Sequence, residues 1–297
     1  MEHIKRPLWY VNRYKQGTLN LSNNVCYDNV LMSELDINVS FQELNEYPDA
    51  ANIYFALGKY HNVDVKNLAV GYGSGDIIFR IFQLFKDYKI GILVPTYELA
   101  YIFAINLGMN VITSEDIDNI NTDILYIANP NGVTGEVVSK EKILELSKKY
   151  KLMIVDEAYG DFCNLNFSVL DESARYDNII VIKTFSKTIA SPGVRFGYCV
   201  SNETFINNIQ ENRSSTVITG FTTNIILELI KHIPAHISRM LKTRKYIEEK
   251  YNCITSHGNF VLFKKNPAFN CEIKKTSKGL YRMALTDLET FKKIEND

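Results

Sequence analysis

The sequence lacks any apolar run long enough to cross a membrane; its longest, such as Ile90–Val94, cover only a few residues. The stretch from residue 1 to 17 has no apolar core of the kind that a signal peptide needs. The five cysteines lack Cys-x-x-Cys spacing, which predicts reduced thiols in a cytoplasmic protein. With a formal net charge of -1, the chain is not expected to bind nucleic acid or an anionic membrane.

Metal-ligand patterns are also scarce. His232 and His236 have the i, i+4 spacing of ligands on one helix face, but no third ligand is evident in the sequence. Structural zinc sites use four protein ligands, and catalytic ones use three. The sequence therefore predicts no metal site.

The pattern that is present is an alternation of short apolar runs with amphipathic segments, from about residue 50 to 200. Such alternation predicts an α/β fold with a mainly parallel sheet covered on both faces, and a ligand site beyond the carboxyl ends of the strands. The predicted strands are Leu68–Val70, Ile90–Val94, Asp123–Ala128, Leu152–Asp156, Asn178–Ile182 and Phe196–Val200. The predicted helices are Asp76–Tyr88, Glu98–Leu107 and Lys140–Tyr150.

The flanks differ from this central pattern. Residues 1–45 are irregular and polar, 222–250 have the pattern of one or two helices, and Asn259–Lys264 and Gly279–Leu285 resemble strands. A chain of 297 residues, 46% of them hydrophobic, can bury a sizeable core. We predict a large domain over residues 45–220 and a reduced small α+β domain formed by residues 1–44 and 221–297.

Chemistry-bearing residues follow several of the predicted strands. Lys183–Gly197 places the hydroxyls of Thr184 and Ser186 near Lys187 and Arg195 on a loop rich in small residues. A lysine that forms an imine must be fixed and partly desolvated, and hydroxyls beside a guanidinium fork suit a phosphate. Gly71–Asp76 lies between a strand and a helix, where backbone N–H groups can approach an anion. Asp156 ends a very apolar strand, where a carboxylate needs a cation or donors.

Together these segments resemble fold-type I pyridoxal-phosphate (PLP) enzymes, the class I/II aminotransferases. The closest branch contains histidinol-phosphate aminotransferase and threonine-phosphate decarboxylase. The resemblance rests on T-x-S-K…G-x-R at Thr184–Arg195, on D-E-A-Y at Asp156–Tyr159 and on the glycine-rich turn. It implies an aspartate aminotransferase-like fold and a homodimer with shared active sites.

The resemblance also implies roles for individual residues. Lys187 would carry PLP as a Schiff base, Asp156 would bind the pyridine nitrogen and Tyr159 the 3'-oxygen, which makes these three the catalytic candidates. Arg282, in Tyr281–Leu285, would bind the substrate carboxylate. The implied cofactor-binding residues are Tyr47 (from the neighbouring subunit), Gly73, Ser74, Gly75, Tyr97, Asn131, Asp156, Tyr159, Thr184, Ser186, Lys187 and Arg195.

The sequence departs from the family pattern at Asn129–Gly135. The family's N-P-N-N-P-T-G has an asparagine that donates to the 3'-oxygen, and here that position is Gly132, followed by Val133. Either one hydrogen bond to the cofactor is missing, or Asn131 takes it after a local shift. A lost charge-assisted bond of this kind costs roughly 1.5–3 kcal/mol.

Three functions remain open on this scaffold. The first is an aminotransferase acting on a small amino acid or amino-phosphate, with a keto acceptor as the second small-molecule partner. The second is a decarboxylase of a phosphorylated amino acid, because PLP cleaves whichever Cα bond stands perpendicular to its ring. The third, suggested by Gly132 and the shortened flanks, is a PLP-binding protein without turnover.

Overall fold

The structure, a computed structural model, describes residues 18–37, 45–213 and 218–296. The strands in these residues are β1 (Leu19–Asn20), β2 (Leu68–Tyr72), β3 (Ile90–Leu93), β4 (Val111–Ser114), β5 (Ile124–Ala128), β6 (Leu152–Asp156), β7 (Ile179–Thr184), β8 (Phe196–Val200), β9 (Phe260–Phe263), β10 (Cys271–Glu272), β11 (Lys274–Lys275) and β12 (Tyr281–Ala284). The helices are α1 (Asn29–Glu34), α2 (Ala51–His61), α3 (Ser74–Leu84), α4 (Glu98–Asn106), α5 (Lys140–Ser147), α6 (Leu170–Ser173), α7 (Phe185–Thr188), α8 (Glu203–Glu211), α9 (Gly220–Lys250) and α10 (Leu288–Asn296).

A seven-stranded sheet in the order β2-β8-β7-β6-β5-β3-β4 occupies the centre. Strands β3 to β7 pair in parallel, whereas β8 is antiparallel to both β7 and β2. A parallel connection needs a crossover of a dozen or more residues. The short link from β7 to β8, built from α7 and the 3-10 turn Pro192–Val194, returns the chain without one. The prediction of a mainly parallel sheet is confirmed, with β8 as the reversed strand.

The sheet is apolar on both faces because its middle strands are made mostly of large apolar residues. Every residue of β5, β6 and β7 is buried. One face packs on α2 and α9 through a cluster that includes Leu57 and Ile226, and the other packs on α3 and α4 through a cluster that includes Ile81 and Phe103. A sheet buried on both sides in this way is rigid, so groups at its strand ends are held in fixed positions.

A smaller unit is built around β9, β11 and β12, which form an antiparallel sheet in the order β11-β12-β9. The segment after residue 18 runs beside it, because β1 pairs with β10 and Ala284 N donates to Leu21 O at 2.9 Å. Tyr27 N donates to Leu285 O at 3.1 Å, which keeps the segment along this sheet. Residues 21–27 are thereby carried to the edge of the central sheet where β6 and β7 end.

Several features of the fold were not predicted. Strand β4 was missed because it is a short, only partly buried edge strand, and α2 was missed because its apolar face is interrupted. The 222–250 region forms a single helix, α9, that continues through Pro234. The division into domains at 45–220, with 1–44 and 221–297 forming the second domain, stays a prediction. Within the described residues, no helix combines the length and apolarity needed to span a bilayer.

Candidate active site

The predicted motifs come together at one edge of the central sheet. Strands β2, β3, β5, β6 and β7 run in the same direction, so their carboxyl ends lie side by side, and β8 begins at that same edge because it is reversed. The edge therefore collects the glycine-rich turn after β2, the loop Asn129–Gly135, the turn after Asp156 and the loop of Lys187. This is the position at which α/β sheets bind ligands.

Lys187 lies in the single helical turn α7, for which Thr184 is the N-cap. Its side chain is partly buried, and Nζ donates to Asn23 O at 2.9 Å. Desolvation by burial, followed by the nearby charge of Arg282, lowers the pKa of Lys187 from 10.5 to about 7. The amine is consequently close to half neutral at pH 7, which is the form that attacks a carbonyl carbon.

Asp156 ends β6 and is only 4% exposed. Its Oδ2 accepts a hydrogen bond from the Tyr126 hydroxyl at 2.7 Å, and its Oδ1 accepts one from Ala158 N at 3.1 Å. Burial raises the pKa of Asp156, and the hydrogen bonds and the charge of Lys187 oppose that rise only in part. A buried carboxylate of this kind favours a cationic ligand group.

An anion-binding end lies where the glycine-rich turn meets Arg195. Gly73 has a φ of +81°, and a Cβ atom at this residue would lie 2.5 Å from Arg195 Nη2. Backbone and guanidinium can approach this closely only because residue 73 is glycine. On the other side of β8 from Gly73, Thr184 ends β7, and its Oγ1 lies 3.1 Å from Ser186 Oγ. Hydroxyls, a guanidinium and the first N–H groups of α3, beginning at Ser74, together suit a phosphate.

Tyr159 occupies the space that a side chain at residue 132 would need. A Cβ atom on Gly132 would lie 2.6 Å from Tyr159 Cε2. The Tyr159 hydroxyl accepts a hydrogen bond from Asn24 Nδ2 at 3.1 Å, and the Lys187 Nζ lies 5.9 Å from the centroid of the ring. Burial raises the pKa of Tyr159, while Arg282 and the Asn24 bond pull it down. Tyr159 therefore keeps its proton at neutral pH and can donate it.

The side-chain amide of Asn131 is engaged by backbone groups, one in the loop of Pro95 and two in its own loop. Nδ2 donates to Pro95 O at 2.7 Å, and Oδ1 accepts from Val133 N at 2.8 Å and from Thr134 N at 3.1 Å. The geometry thus gives Asn131 a structural role and does not favour the cofactor contact predicted for it, because moving its amide would leave these loop N–H groups without an acceptor.

Arg282 projects from β12 toward the same loop. Nη1 donates to Gly132 O at 2.6 Å and Nη2 to Ser22 O at 3.3 Å, while its guanidinium lies 5.7 Å from the Phe260 ring centroid. Among the described residues, its buried Nε has no hydrogen-bond partner. Arg282 is therefore a partly buried cation, close enough to Lys187 to lower its pKa, that retains an unused donor.

Two other predicted site residues, Tyr97 and Tyr47, are more exposed. Tyr97, which follows Pro95-Thr96, is 39% exposed, and its hydroxyl would be 3.9 Å from a Cβ atom on Gly75, at the start of α3. Tyr47 is 92% exposed within its own chain.

Two residues at the site were not predicted. Tyr126, in the middle of the apolar strand β5, is the hydrogen-bond donor to Asp156 and resembles an ordinary core residue in the sequence. Asn24 comes from the irregular first segment, and its only sequence signal is that asparagine tolerates the left-handed backbone that it adopts here, with a φ of +51°. Neither carries a motif, so spacing could not reveal them.

These residues fit PLP by their chemistry. The cofactor has an aldehyde, a protonatable ring nitrogen, a phenolic oxygen and a phosphate. The described site offers a partly neutral amine at Lys187, a buried carboxylate at Asp156, a protonated hydroxyl at Tyr159 and a cationic cradle at Arg195 and Gly73. Each group of the cofactor therefore has a complementary partner.

Comparison with known proteins agrees with this geometry. A histidinol-phosphate aminotransferase from Clostridium novyi is 31% identical over 240 residues, which cover 74% of this chain and 64% of that protein, so the matched region spans less than two thirds of this relative. Two solved structures share the fold. One is L-threonine-O-3-phosphate decarboxylase from Porphyromonas gingivalis, with a TM-score of 0.73, 19% identity and coverage of 92% of this chain and 96% of that one. The other is histidinol-phosphate aminotransferase from Sinorhizobium meliloti in complex with pyridoxal-5'-phosphate, with a TM-score of 0.80, 14% identity and coverage of 94% and 89%.

The family described as aminotransferase class I and II matches residues 11–276. This match covers most of the chain and includes Thr184–Arg195, Asp156–Tyr159 and the glycine-rich turn, but not Tyr281–Leu285, which carries Arg282. The resemblance, the aspartate aminotransferase-like fold and PLP as the cofactor are thereby confirmed. The chain belongs to the class I and II aminotransferases.

Proposed function

We propose that the protein transfers an amino group from a small amino acid or amino-phosphate to a keto acid, with PLP bound at Lys187. The proposal depends on the amine of Lys187, which lies at the same edge of the central sheet as Asp156. Burial and the charge of Arg282 lower the pKa of this amine to about 7. A general acid or base is most effective when its pKa lies near the working pH.

The residues that would hold the cofactor divide by the group they face. Lys187 would bind the aldehyde carbon, Asp156 the pyridine nitrogen and Tyr159 the phenolic oxygen. Tyr97 would cover the ring. The phosphate would be held by Gly73, Ser74, Gly75, Thr184, Ser186 and Arg195.

When bound, PLP supplies a carbonyl carbon that condenses with amines and a ring that accepts electrons from the substrate's Cα. The chain's own groups then manage the protons. Lys187 Nζ, neutral in part at pH 7, can take a proton from the substrate's Cα and deliver it to the carbon that is the aldehyde carbon of free PLP. Asp156, held by Tyr126 and Ala158 N, keeps a negative charge beside the ring nitrogen and so favours its protonated form.

Arg282 would bind the carboxylate of the substrate. Two of its nitrogens are anchored to Gly132 O and Ser22 O, which fixes the guanidinium, and its Nε remains without a partner among the described residues. An ion pair in this buried position is strong because few water molecules screen it. We expect Arg282→Gln to raise KM for carboxylate substrates at least tenfold, with Arg175→Gln, at an exposed position, as the control.

Decarboxylation of a phosphorylated amino acid is the second candidate, since a decarboxylase is among the proteins that share this fold. Lys187 and Asp156 would serve either reaction, and the orientation of the substrate would decide between them. Release of CO2 in the absence of any keto acid would identify the decarboxylase. A PLP-binding protein without turnover would show neither CO2 release nor a spectral response to amino acids.

We further propose that the protein acts as a cytoplasmic homodimer whose subunits complete each other's sites. Tyr47, Phe55 and Tyr72 are more than half exposed, and large exposed aromatic groups are typical of surfaces that another chain covers. Tyr72 also lies against Arg195, whose guanidinium is 5.4 Å from its ring centroid. Sedimentation equilibrium should give twice the monomer mass, and Tyr47→Ala should weaken PLP binding.

The test of the proposed function is a spectroscopic screen of amino donors. The visible absorbance of bound PLP should decay on addition of a donor amino acid and return on addition of a keto acid. Lys187→Ala should abolish both changes and the borohydride-reducible link to PLP. A reducible link that persists in Lys187→Ala would contradict the assignment of the lysine, and an unchanged spectrum with every donor would contradict amino transfer.

A further inference from the structure

Asn24, in the segment after β1, contacts the site beside Gly132, where the sequence departs from the family pattern. Asn24 is 1% exposed and is held with a left-handed backbone, φ +51°. Its Nδ2 donates to Tyr159 Oη and to Gly132 O, both at 3.1 Å. One amide nitrogen therefore links the segment after β1, the loop of Gly132 and the turn of Tyr159.

The orientation of this amide follows from its partners. A carbonyl oxygen can only accept, so the Asn24 atom that faces Gly132 O has to be the nitrogen. Tyr159 then accepts from Asn24 through its oxygen, and the hydroxyl proton of Tyr159 stays available for another acceptor. Asn24 Oδ1 is buried without a hydrogen-bond partner among the described residues, so the amide is held by the donors on its nitrogen.

The packing shows why a second residue is needed to fix Tyr159. Because residue 132 has no side chain, the Tyr159 ring lies against the backbone there, with Cε2 2.6 Å from where a Cβ atom would be. The other close ring is Phe260, whose centroid lies 5.8 Å away in an edge arrangement. Neither contact is polar, so the position of the hydroxyl depends on Asn24.

We propose that Asn24 is a positioning residue for Tyr159: it fixes the tyrosine hydroxyl in the space left by Gly132, with the proton directed to the phenolic oxygen of PLP. Asn24 thereby places a side-chain amide at the Tyr159 hydroxyl, beside a residue that has no side chain of its own. This inference rests on the proposed function, since it requires PLP at Lys187.

The backbone conformation decides which variant tests this role. Asn24→Gly removes the amide and keeps the left-handed φ, which alanine would strain. Asn24→Asp keeps the shape and removes the donor. Asn259→Ala is the matched control, because Asn259 Nδ2 donates to the backbone Asn24 O at 3.0 Å and anchors the segment without reaching Tyr159.

The experiment measures PLP affinity by absorbance titration, the pH midpoint of the bound-PLP spectrum, and thermal unfolding. We expect Asn24→Gly to weaken PLP binding about five- to tenfold and to raise the pH midpoint. In a Tyr159→Phe background the same substitution should change affinity less than twofold, because the hydroxyl that it positions is gone. Asn259→Ala should lower the unfolding temperature with the pH midpoint unchanged.

Three results would overturn the inference. The first is an Asn24→Gly variant with the PLP affinity and pH midpoint of the wild type. The second is an effect of Asn24→Gly that is equally large in the Tyr159→Phe background. The third is an Asn259→Ala variant that shows the same midpoint shift as Asn24→Gly. If Asn24→Gly does not fold, Asn24→Asp is judged by the same criteria. Failure of the wild-type protein to bind PLP would instead overturn the proposed function, and with it the inference that depends on it.

Discussion

Replacing Lys187 with methionine should stabilise the PLP-free protein at neutral pH. The pKa of Lys187 is about 7 in the fold and 10.5 in a hydrated lysine. Between these values the unfolded chain binds a proton at this amine that the folded chain does not bind. Stability therefore rises with pH in this window, by at most about 1.4 kcal/mol per pH unit, and the cost of the buried charge is fully present below pH 7.

The magnitude follows from the same two pKa values. From pH 7 to pH 9, Lys187 alone should add roughly 2 kcal/mol to the free energy of unfolding, an upper limit because the side chain is partly exposed. Lys187→Met keeps most of the side-chain stem and removes the titrating group. The variant should thus be more stable than the wild type at pH 7, and this advantage should shrink by up to about 2 kcal/mol at pH 9.

Urea unfolding of the PLP-free wild type and variant at pH 7, 8 and 9 measures this difference directly. Lys59→Met, at an exposed position of α2, controls for the loss of one positive charge. Burial is the largest cause of the low Lys187 pKa, and the charge of Arg282 is the next largest. Arg282→Met removes that charge, so the pH range over which stability rises should begin at a higher pH. A stability difference between the wild type and Lys187→Met that stays constant from pH 7 to 9 would refute the reasoning.

Two further predictions concern the packing of the site and the acid stability of the fold. Gly132→Ala should displace the Tyr159 ring, because the new Cβ atom would lie 2.6 Å from Cε2; we expect a loss of about 1–3 kcal/mol in urea unfolding and weaker PLP binding by titration. Burial pushes the pKa of Asp28 up, but hydrogen bonds from His236 and Arg239 outweigh it and hold the pKa at about 2. Asp28 thus contributes stability above pH 3.8 that is lost as the pH falls toward 2, and Asp28→Asn should lower stability at pH 7 by about 2 kcal/mol and flatten the acid limb of the unfolding profile.

The centre of the fold was predictable from the sequence because its strands are buried on both faces. Continuous aliphatic runs such as Ile124–Ala128 and Leu152–Asp156 have few alternatives to a central strand, and both were placed within one residue. The site was predictable for a related reason. Polar residues that end or closely follow such runs lie at the carboxyl edge of the sheet, so the sequence alone predicts that Asp156 and Lys187 share one edge.

What could not be predicted depends on contacts between segments far apart in the chain. Asn24 and Tyr159 are 135 positions apart, and the bond between them needs the first segment to pair beside β12. The engagement of Asn131 with Pro95 O is of the same kind, since it joins two loops that only the sheet brings together. The local sequence pattern indicates which residues are buried and where turns form. These hydrogen bonds depend instead on how distant strands and loops pack together.

The buried polar groups of this protein fall into two sets, and the difference between them marks the site. Lys183 is buried, but its Nζ lies 3.0 Å from Asp161 Oδ1, and this partner keeps its pKa above the usual value despite burial. Lys187, one helical turn later, has no carboxylate within hydrogen-bond distance among the described residues, and burial lowers its pKa instead. Asp156 nearby shows the matching imbalance, with a pKa raised by burial. Lys187 and Asp156 lie at the carboxyl edge of the sheet, each without an ion-pair partner in the described part of the chain, and lower the stability of the folded chain. A ligand that presents a cationic group to Asp156 and a carbonyl carbon to Lys187 offsets that cost. The cost of leaving these groups unpaired in the empty site is therefore recovered when PLP binds, and adds to the affinity for PLP.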